Sequence, residues 1–223
     1  MRVHYTKSDC EPRLMILIGQ YDSPFVRRVA VALGLYDIAY DHRPWSTFGD
    51  ADALAAFNPL KRVPTLVLAD GEVLIDSAAI LDALDERVGA ARALIPSAGS
   101  ARRRVLKACA LGAGLADKAV ALVYERVLHD AVSPVWIDRC RGQIRGVLDV
   151  LNADRAAEAG PWWFGPDMTH ADVMIGCALR FVGEAHGAVF DLRNWPALSA
   201  HAARCEALPA FAAVTQPFVG PSN

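Results

Sequence analysis

Apolar and polar positions change their rhythm partway along the chain. Leu14 to Gly19 is an unbroken apolar run closed by glycine, the pattern of a short buried strand. Ser23-Pro24 follows, with serine as an N-cap and proline at the first helical position. Phe25, Val29, Val31, Ala32 and Leu33 give that helix an apolar face, and Gly34 supplies a stop. Ile38 to Arg43 alternates and predicts a second strand. Asp50 to Phe57 predicts a short helix ended by Asn58-Pro59. Thr65 to Leu68 and Glu72 to Ile75 flank Asp70-Gly71, which predicts a hairpin. Ser77 to Val88 has apolar residues at helical spacing with acids between them. The order β-α-β-α-β-β-α is a thioredoxin-like arrangement.

The alternation then ends. Gly89 to Gly99 is rich in glycine, alanine, proline and serine and reads as a linker. Beyond it the pattern is helical throughout. Ala101 to Asp130 predicts one long helix with weak points at Gly112 and Gly114. Ser133-Pro134 repeats the cap-then-proline signal and opens a helix to about Ala157. Further helices are predicted over His170 to His186 and Pro196 to about Leu208, after an aromatic loop from Gly160 to Met168. The predicted organisation is therefore a tail over residues 1–14, a thioredoxin-like α/β domain over 15–88, a linker over 89–99 and an all-helical domain over 100–223.

Met168-Thr169-His170-Ala171-Asp172-Val173 has the form of a capping box, with Asp172 in the place of glutamate. Met168 and Val173 stand at the two staple positions. This motif serves folding, with a cap worth about 1 kcal/mol.

Composition narrows the function classes. Apolar residues make up 53% and charged residues 22% of the 223, ordinary values for a globular chain. A net charge of −2 lacks the basic footprint of a nucleic-acid binder. No apolar run is long enough to span a bilayer, and the first residues lack the apolar core of a secretory signal. Cys10, Cys109, Cys140, Cys177 and Cys205 are scattered without paired spacing, which fits a reducing cytoplasm. There is no C-x-x-C and no H-E-x-x-H, so no metal site is expected.

Four motifs in order and spacing resemble the cytosolic glutathione S-transferase family. They are Ser23-Pro24-Phe25, Asn58-Pro59-Leu60-Lys61-Arg62-Val63-Pro64-Thr65-Leu66, Asp76-Ser77, and the capping box at Thr169. The resemblance covers about Met15 to Leu208. It implies glutathione as co-substrate, a small hydrophobic electrophile as second substrate, no metal, and a homodimer.

The resemblance also assigns residues, each with a plainer alternative. It implies that the Val63-Pro64 bond is cis. The amide and carbonyl of Val63 would then face outward and pair with the cysteine backbone of glutathione; otherwise Pro64 merely opens a strand. Asp76-Ser77 can take the γ-glutamyl ammonium and carboxylate at a helix start, or can be an ordinary cap. Ser23 stands where related reductases carry the first cysteine of C-P-x-C. Its hydroxyl, backed by a helix N-terminus, would stabilise the glutathione thiolate. Tyr21 is the rival for that role. Phe25 is placed near the thiol or in the core, and Arg62, with Lys61, near the glycine carboxylate or in solvent. Trp45 is packing or a cap on the peptide's far end. Tyr124, in the apolar stretch Leu111 to Leu128, is assigned to the second-substrate pocket or the bundle core. The run Arg102-Arg103-Arg104 reads as a solvated face or a subunit contact.

Conjugation of glutathione thiolate to an electrophilic carbon is the leading expectation. Glutathione-dependent thiol reduction or peroxidase chemistry is an alternative that Ser23 and Val26 disfavour, because no sulfur stands at the turn. A non-enzymatic binding protein on the same fold is the third.

Overall fold

The computed structural model describes residues 14–221; Cys10 and most of the predicted tail lie outside the described residues. The amino-terminal domain comprises β1 (Met15–Ile18), α1 (Pro24–Leu35), β2 (Tyr40–Arg43), α2 (Ala51–Ala55), β3 (Thr65–Val67), β4 (Val73–Ile75) and α3 (Ser77–Val88). Its sheet has the order β2-β1-β3-β4. β1 and β2 are parallel, so the chain must cross over between them, and α1 is that crossover. β3 pairs antiparallel with both β1 and β4. Leu17 and Leu66 face each other across β1 and β3 and are fully buried with Val29, Leu33, Ile80 and Leu84 of the flanking helices.

The helical domain comprises α4 (Gly99–Val127), α5 (Pro134–Ala157), α6 (His170–His186), a 3-10 turn at Leu192–Asn194, α7 (Pro196–Glu206) and α8 (Pro209–Ala212). α6 is its centre: Ala171 to Leu179 are buried without a break. α1 is buried from Val26 to Leu33, including Arg27 and Arg28. A helix buried on every side must have neighbours on every side. It lies between the sheet layer and α6, and so carries the junction of the two domains.

The thioredoxin-like plus helical architecture agrees with the sequence pattern, and α3, α5 and α6 have the predicted bounds. β2, α2, β3 and β4 are shorter than predicted by one to three residues, and α4 spans Gly99–Val127 in place of Ala101 to Asp130. α1 does not stop at Gly34 but runs to Leu35, because its last carbonyls are capped by the amide of Tyr36 and the chain turns at Asp37, with φ 54°. α4 is continuous through Gly112 and Gly114. A Cβ at Gly112 would stand 3.0 Å from Met174 Cγ, so this glycine marks the close approach of α6, not a break. α7 ends at Glu206, and the Leu208-Pro209 step opens α8.

The capping box forms as the sequence implies. The Thr169 amide donates to Asp172 Oδ2 at 2.8 Å, and the Ala171 amide donates to Thr169 Oγ1 at 3.3 Å. Asp172 Oδ1 also accepts from the Trp163 amide at 2.7 Å, which ties the aromatic loop to the helix start. Met168 and Val173 share one apolar cluster.

Candidate active site

The turn after β1 begins at Gly19, with φ +129°. A Cβ there would lie 2.5 Å from Val26 Cγ2 and 2.7 Å from Val63 Cβ, so only glycine lets this turn close against Val63. Ser23 then caps α1. Its Oγ accepts from the Val26 amide at 3.4 Å, with Pro24 at the first helical position. The hydroxyl therefore sits at the positive end of a helix and on the wall of a cavity of about 530 Å³.

Tyr21 is placed differently. Its hydroxyl shares a 2.7 Å hydrogen bond with the Tyr40 hydroxyl. Its ring stacks on His42 at 3.9 Å between centroids. Burial pushes its phenol up, against a smaller opposing effect of the Tyr40 hydrogen bond. The side chain is committed to β2, and Tyr21 lines neither of the two cavities described here.

The second element is the loop before β3. The Val63-Pro64 peptide is cis. The sheet ladder begins at Thr65, so it uses neither the amide nor the carbonyl of Val63. Asn58, 2% exposed, braces this loop from behind. Its Nδ2 donates to the Arg62 carbonyl at 2.9 Å, and its Oδ1 accepts from the Leu60 amide at 3.0 Å. Lys61 pairs with Asp52 at 3.2 Å, whereas Arg62 has no ion-pair partner among the described residues.

The third element is the step from β4 to α3. Asp76 has φ 68°, a left-handed conformation that aspartate tolerates better than most residues. Its Oδ1 accepts from the Ala78 amide at 2.8 Å and caps α3. Asp76 and Ser77 line a second cavity of about 410 Å³ with Phe25, Arg62, Val63 and Pro64, roofed by Ala113, Gly114 and Asp117 of α4.

The two cavities share Arg62, Val63 and Asp117, so they form one cleft between the domains. Its larger part, about 530 Å³, holds Ser23, Trp45, Lys61 and Tyr124. Tyr124 meets Phe48 edge-on at 5.5 Å. Trp45 lies under the Arg43 guanidinium at 5.5 Å while still reaching this wall. The structure thus brings together every predicted site residue except Tyr21.

Several lining residues were not anticipated from sequence: Gln20, Asp22, Phe48, Asp117, Phe181 and Phe218. Only Asp117, a charge interrupting the apolar run of α4, left a readable signal. The Asp22 carboxyl is pushed up by burial and by the like charge of Glu184, against hydrogen bonds from backbone amides. The described cysteines line neither cavity. Burial raises their thiols, that of Cys109 to about 11 and that of Cys177 to about 12. Arg102 and Arg104 of the basic run are engaged with Asp82 at 3.4 Å and Glu158 at 3.0 Å.

Comparison with known proteins agrees with this arrangement. Residues 17–92 match the glutathione S-transferase N-terminal domain family, and residues 134–204 match the glutathione S-transferase C-terminal domain family. A maleylacetoacetate isomerase from Pseudomonas aeruginosa is 31% identical over 207 residues, spanning 88% of this chain and 93% of that protein. A glutathione transferase family member from Pseudomonas fluorescens, solved with bound glutathione, is 32% identical, with TM-score 0.76 over 92% of this chain and 100% of that one. A glutathione S-transferase from Methylobacterium radiotolerans, in complex with glutathione sulfonate, shares the fold with TM-score 0.86 at 23% identity, over 94% of this chain and 98% of that one. With a relative above 30% identity along nearly the whole chain and both domain families matched in order, this protein belongs to the glutathione S-transferase family.

Proposed function

We propose that the protein binds glutathione along the shared cleft and transfers its thiolate to a small hydrophobic electrophile. The supporting observation is the continuity of the cleft: the Arg62-Val63 edge joins the Ser23 turn to the Asp76-Ser77 pair. In this reading the γ-glutamyl group meets Asp76 and the α3 N-terminus. The cysteine backbone pairs with Val63, held by Pro64 in its cis form. Arg62 takes the glycine carboxylate, and Phe25 packs beside the peptide. That geometry leaves the sulfur at the turn after β1.

Ser23 then acts as the thiolate stabiliser. A cysteine thiol ordinarily titrates at about 8.5 and is mostly protonated at neutral pH. A hydroxyl donor at a helix N-terminus favours the ionised form and lowers that value. The proton goes to solvent, the sulfur lone pair forms the bond to carbon, and a leaving group such as halide departs with the electrons of the broken bond. Ser23 is preferred over Tyr21 because the Tyr21 hydroxyl is already engaged by Tyr40. Tyr124 belongs to the wall of the electrophile's pocket. Association as a homodimer is part of the same proposal, tested by sedimentation.

Relatives named maleylacetoacetate isomerase support a second reaction at the same site. Thiolate addition followed by its departure from the same carbon yields an isomer and regenerates glutathione. Lys61, on the wall of the larger cavity, favours it as a partner for a substrate carboxylate. Reductase chemistry is less well supported, since the described thiols are raised and stand away from the cleft.

The test is calorimetric titration with glutathione, followed by assays against an aryl halide and an unsaturated diacid. Saturable binding and conjugate formation are expected. No binding at millimolar glutathione overturns the reading, and isomer without conjugate moves it to the second reaction.

A further inference from the structure

The larger part of the cleft has a wall that no sequence motif foreshadows. After α8 the chain runs without regular structure over Thr215 to Pro221 and passes back across the turn that carries Ser23. Three hydrogen bonds hold it there. The Tyr21 amide donates to Gln216 Oε1 at 2.9 Å, the Phe218 amide donates to Glu184 Oε2 at 2.8 Å, and the Val219 amide donates to Asp22 Oδ2 at 3.4 Å.

The root of the segment is anchored as well. Arg27, 2% exposed, donates to the carbonyls of Phe211 and Val214 at 3.0 and 3.2 Å, and Glu206 grips its guanidinium at 2.6 and 2.7 Å. Ordering an irregular segment costs about 1–2 kcal/mol per residue in backbone entropy, so one held this way is fixed by specific contacts. Two of those contacts use acids, Glu184 accepting from the Phe218 amide and Asp22 from the Val219 amide, and they place the segment over the cavity.

Phe218 is the side chain these contacts position. Its ring meets Phe181 edge-on at 5.1 Å, and Phe218, Val219 and Pro221 line the larger cavity. A second edge-to-face pair, Phe48 and Tyr124 at 5.5 Å, lines the same space. Aromatic edges and faces of opposite partial charge suit a flat aromatic guest better than a flexible aliphatic one. Gln216 and Val219 bond to Tyr21 and to Asp22, the residue adjoining Ser23, so this wall is held in register with the turn where the sulfur is expected.

We infer that the segment Thr215–Pro221 is the specificity wall of the second-substrate cavity, and that Phe218 selects flat aromatic electrophiles. The inference rests on the glutathione reading above. Phe218 and Gln216 act here as specificity and positioning residues and are not among the groups assigned to glutathione.

The experiment compares calorimetric binding of glutathione and of S-dinitrophenyl glutathione to the unaltered protein, Phe218→Ala, Phe218→Leu and Gln216→Ala. The aryl conjugate should bind the unaltered protein more tightly than glutathione. In Phe218→Ala its affinity should fall by about 10-fold, the scale of losing apolar contact in a pocket, while glutathione affinity stays within about twofold. Gln216→Ala should show a smaller loss in the same direction. Phe218→Leu, which keeps an apolar side chain of similar reach, should lose conjugate affinity with an unchanged melting temperature. Equal conjugate affinity across all four proteins, with glutathione still bound, overturns the inference alone. Parallel loss of both ligands assigns Phe218 to folding and also overturns it. Absence of glutathione binding to the unaltered protein removes the glutathione reading and this inference with it.

Discussion

His170 Nε2 lies 3.0 Å from Asp85 Oδ2, so the first residue of α6 is fastened to the last turn of α3 across the domain boundary. The same carboxylate accepts from the Tyr36 hydroxyl at the end of α1 and from the Leu94 amide at 3.2 Å. The His170 amide in turn donates to the Leu94 carbonyl at 2.8 Å. One buried acid thus gathers the end of α1, the linker and α6. Its position bears on the cleft because Ser23 caps α1 and α6 carries Phe181 of the larger cavity's wall.

Removing that acid should loosen the two domains. Asp85→Ala leaves His170 and the Tyr36 hydroxyl without their acceptor, and a destabilisation of about 3 kcal/mol is expected. Burial pushes the Asp85 carboxyl up, but the hydrogen bond and charge of His170, with the Tyr36 and Leu94 bonds, outweigh it and hold the group below its ordinary value of 3.8. A depressed folded value means stability that is present above about pH 4 and is lost as pH falls through the folded value. The gap in urea midpoint between the unaltered protein and Asp85→Asn should therefore be full at pH 7 and shrink below pH 4. A gap constant across that range would dismiss the ionised carboxylate.

Ser23 combines two duties that one substitution can separate. Ser23→Ala removes the cap on Val26, at a cost of about 1 kcal/mol in stability. It should lower conjugation by about 10-fold or more, because the thiol of bound glutathione returns toward about 8.5. Glutathione affinity should change little. The ultraviolet absorbance of the bound thiolate, followed against pH, reads the shift directly; an unmoved titration would reassign the role to backbone amides.

Asp76 can be tested without breaking its helix. Asp76→Asn keeps an oxygen for the Ala78 amide and a residue that accepts the left-handed conformation. Only the charge is removed. Glutathione should bind about 10-fold more weakly, consistent with the loss of a charge-assisted contact of about 1.4 kcal/mol. The melting temperature should hold within a degree or so. If melting falls while glutathione binding is unchanged, Asp76 is a cap and nothing more.

Two helical glycines should respond in opposite directions. A Cβ at Gly146 meets nothing within 4 Å, so Gly146→Ala should stabilise α5 by about 1 kcal/mol. A Cβ at Gly176 would stand 3.1 Å from Cys205 Sγ and 3.2 Å from Phe211 Cε1. Gly176→Ala should therefore destabilise the protein, by about 1–3 kcal/mol, through overpacking where α6 meets α7 and α8. Thermal unfolding of the two variants side by side checks both signs.

The residues decide some of this protein by themselves. Ser23-Pro24, Ser133-Pro134, Thr169 with Asp172, and Asp70-Gly71 act through neighbours within about four positions, so the helix starts and the hairpin are legible in the chain. The ordered motifs around Ser23, Val63 and Asp76 are legible for the same reason, since each is a local backbone device. Tertiary structure decides what depends on distant partners. Gly34 looks like a helix stop and Gly112 like a weak point, yet the first lies beside Ala210 with α1 running one residue past it, and the second beside Met174 in an unbroken α4. Tyr21 and Ser23 are two residues apart, but only the packing of β2 turns one hydroxyl to Tyr40 and leaves the other on the cleft. Phe218 stands nearly two hundred residues from Ser23 and shares its cavity. Local propensity reaches one turn of helix, whereas a cavity wall is set by how separate helices come to rest against each other.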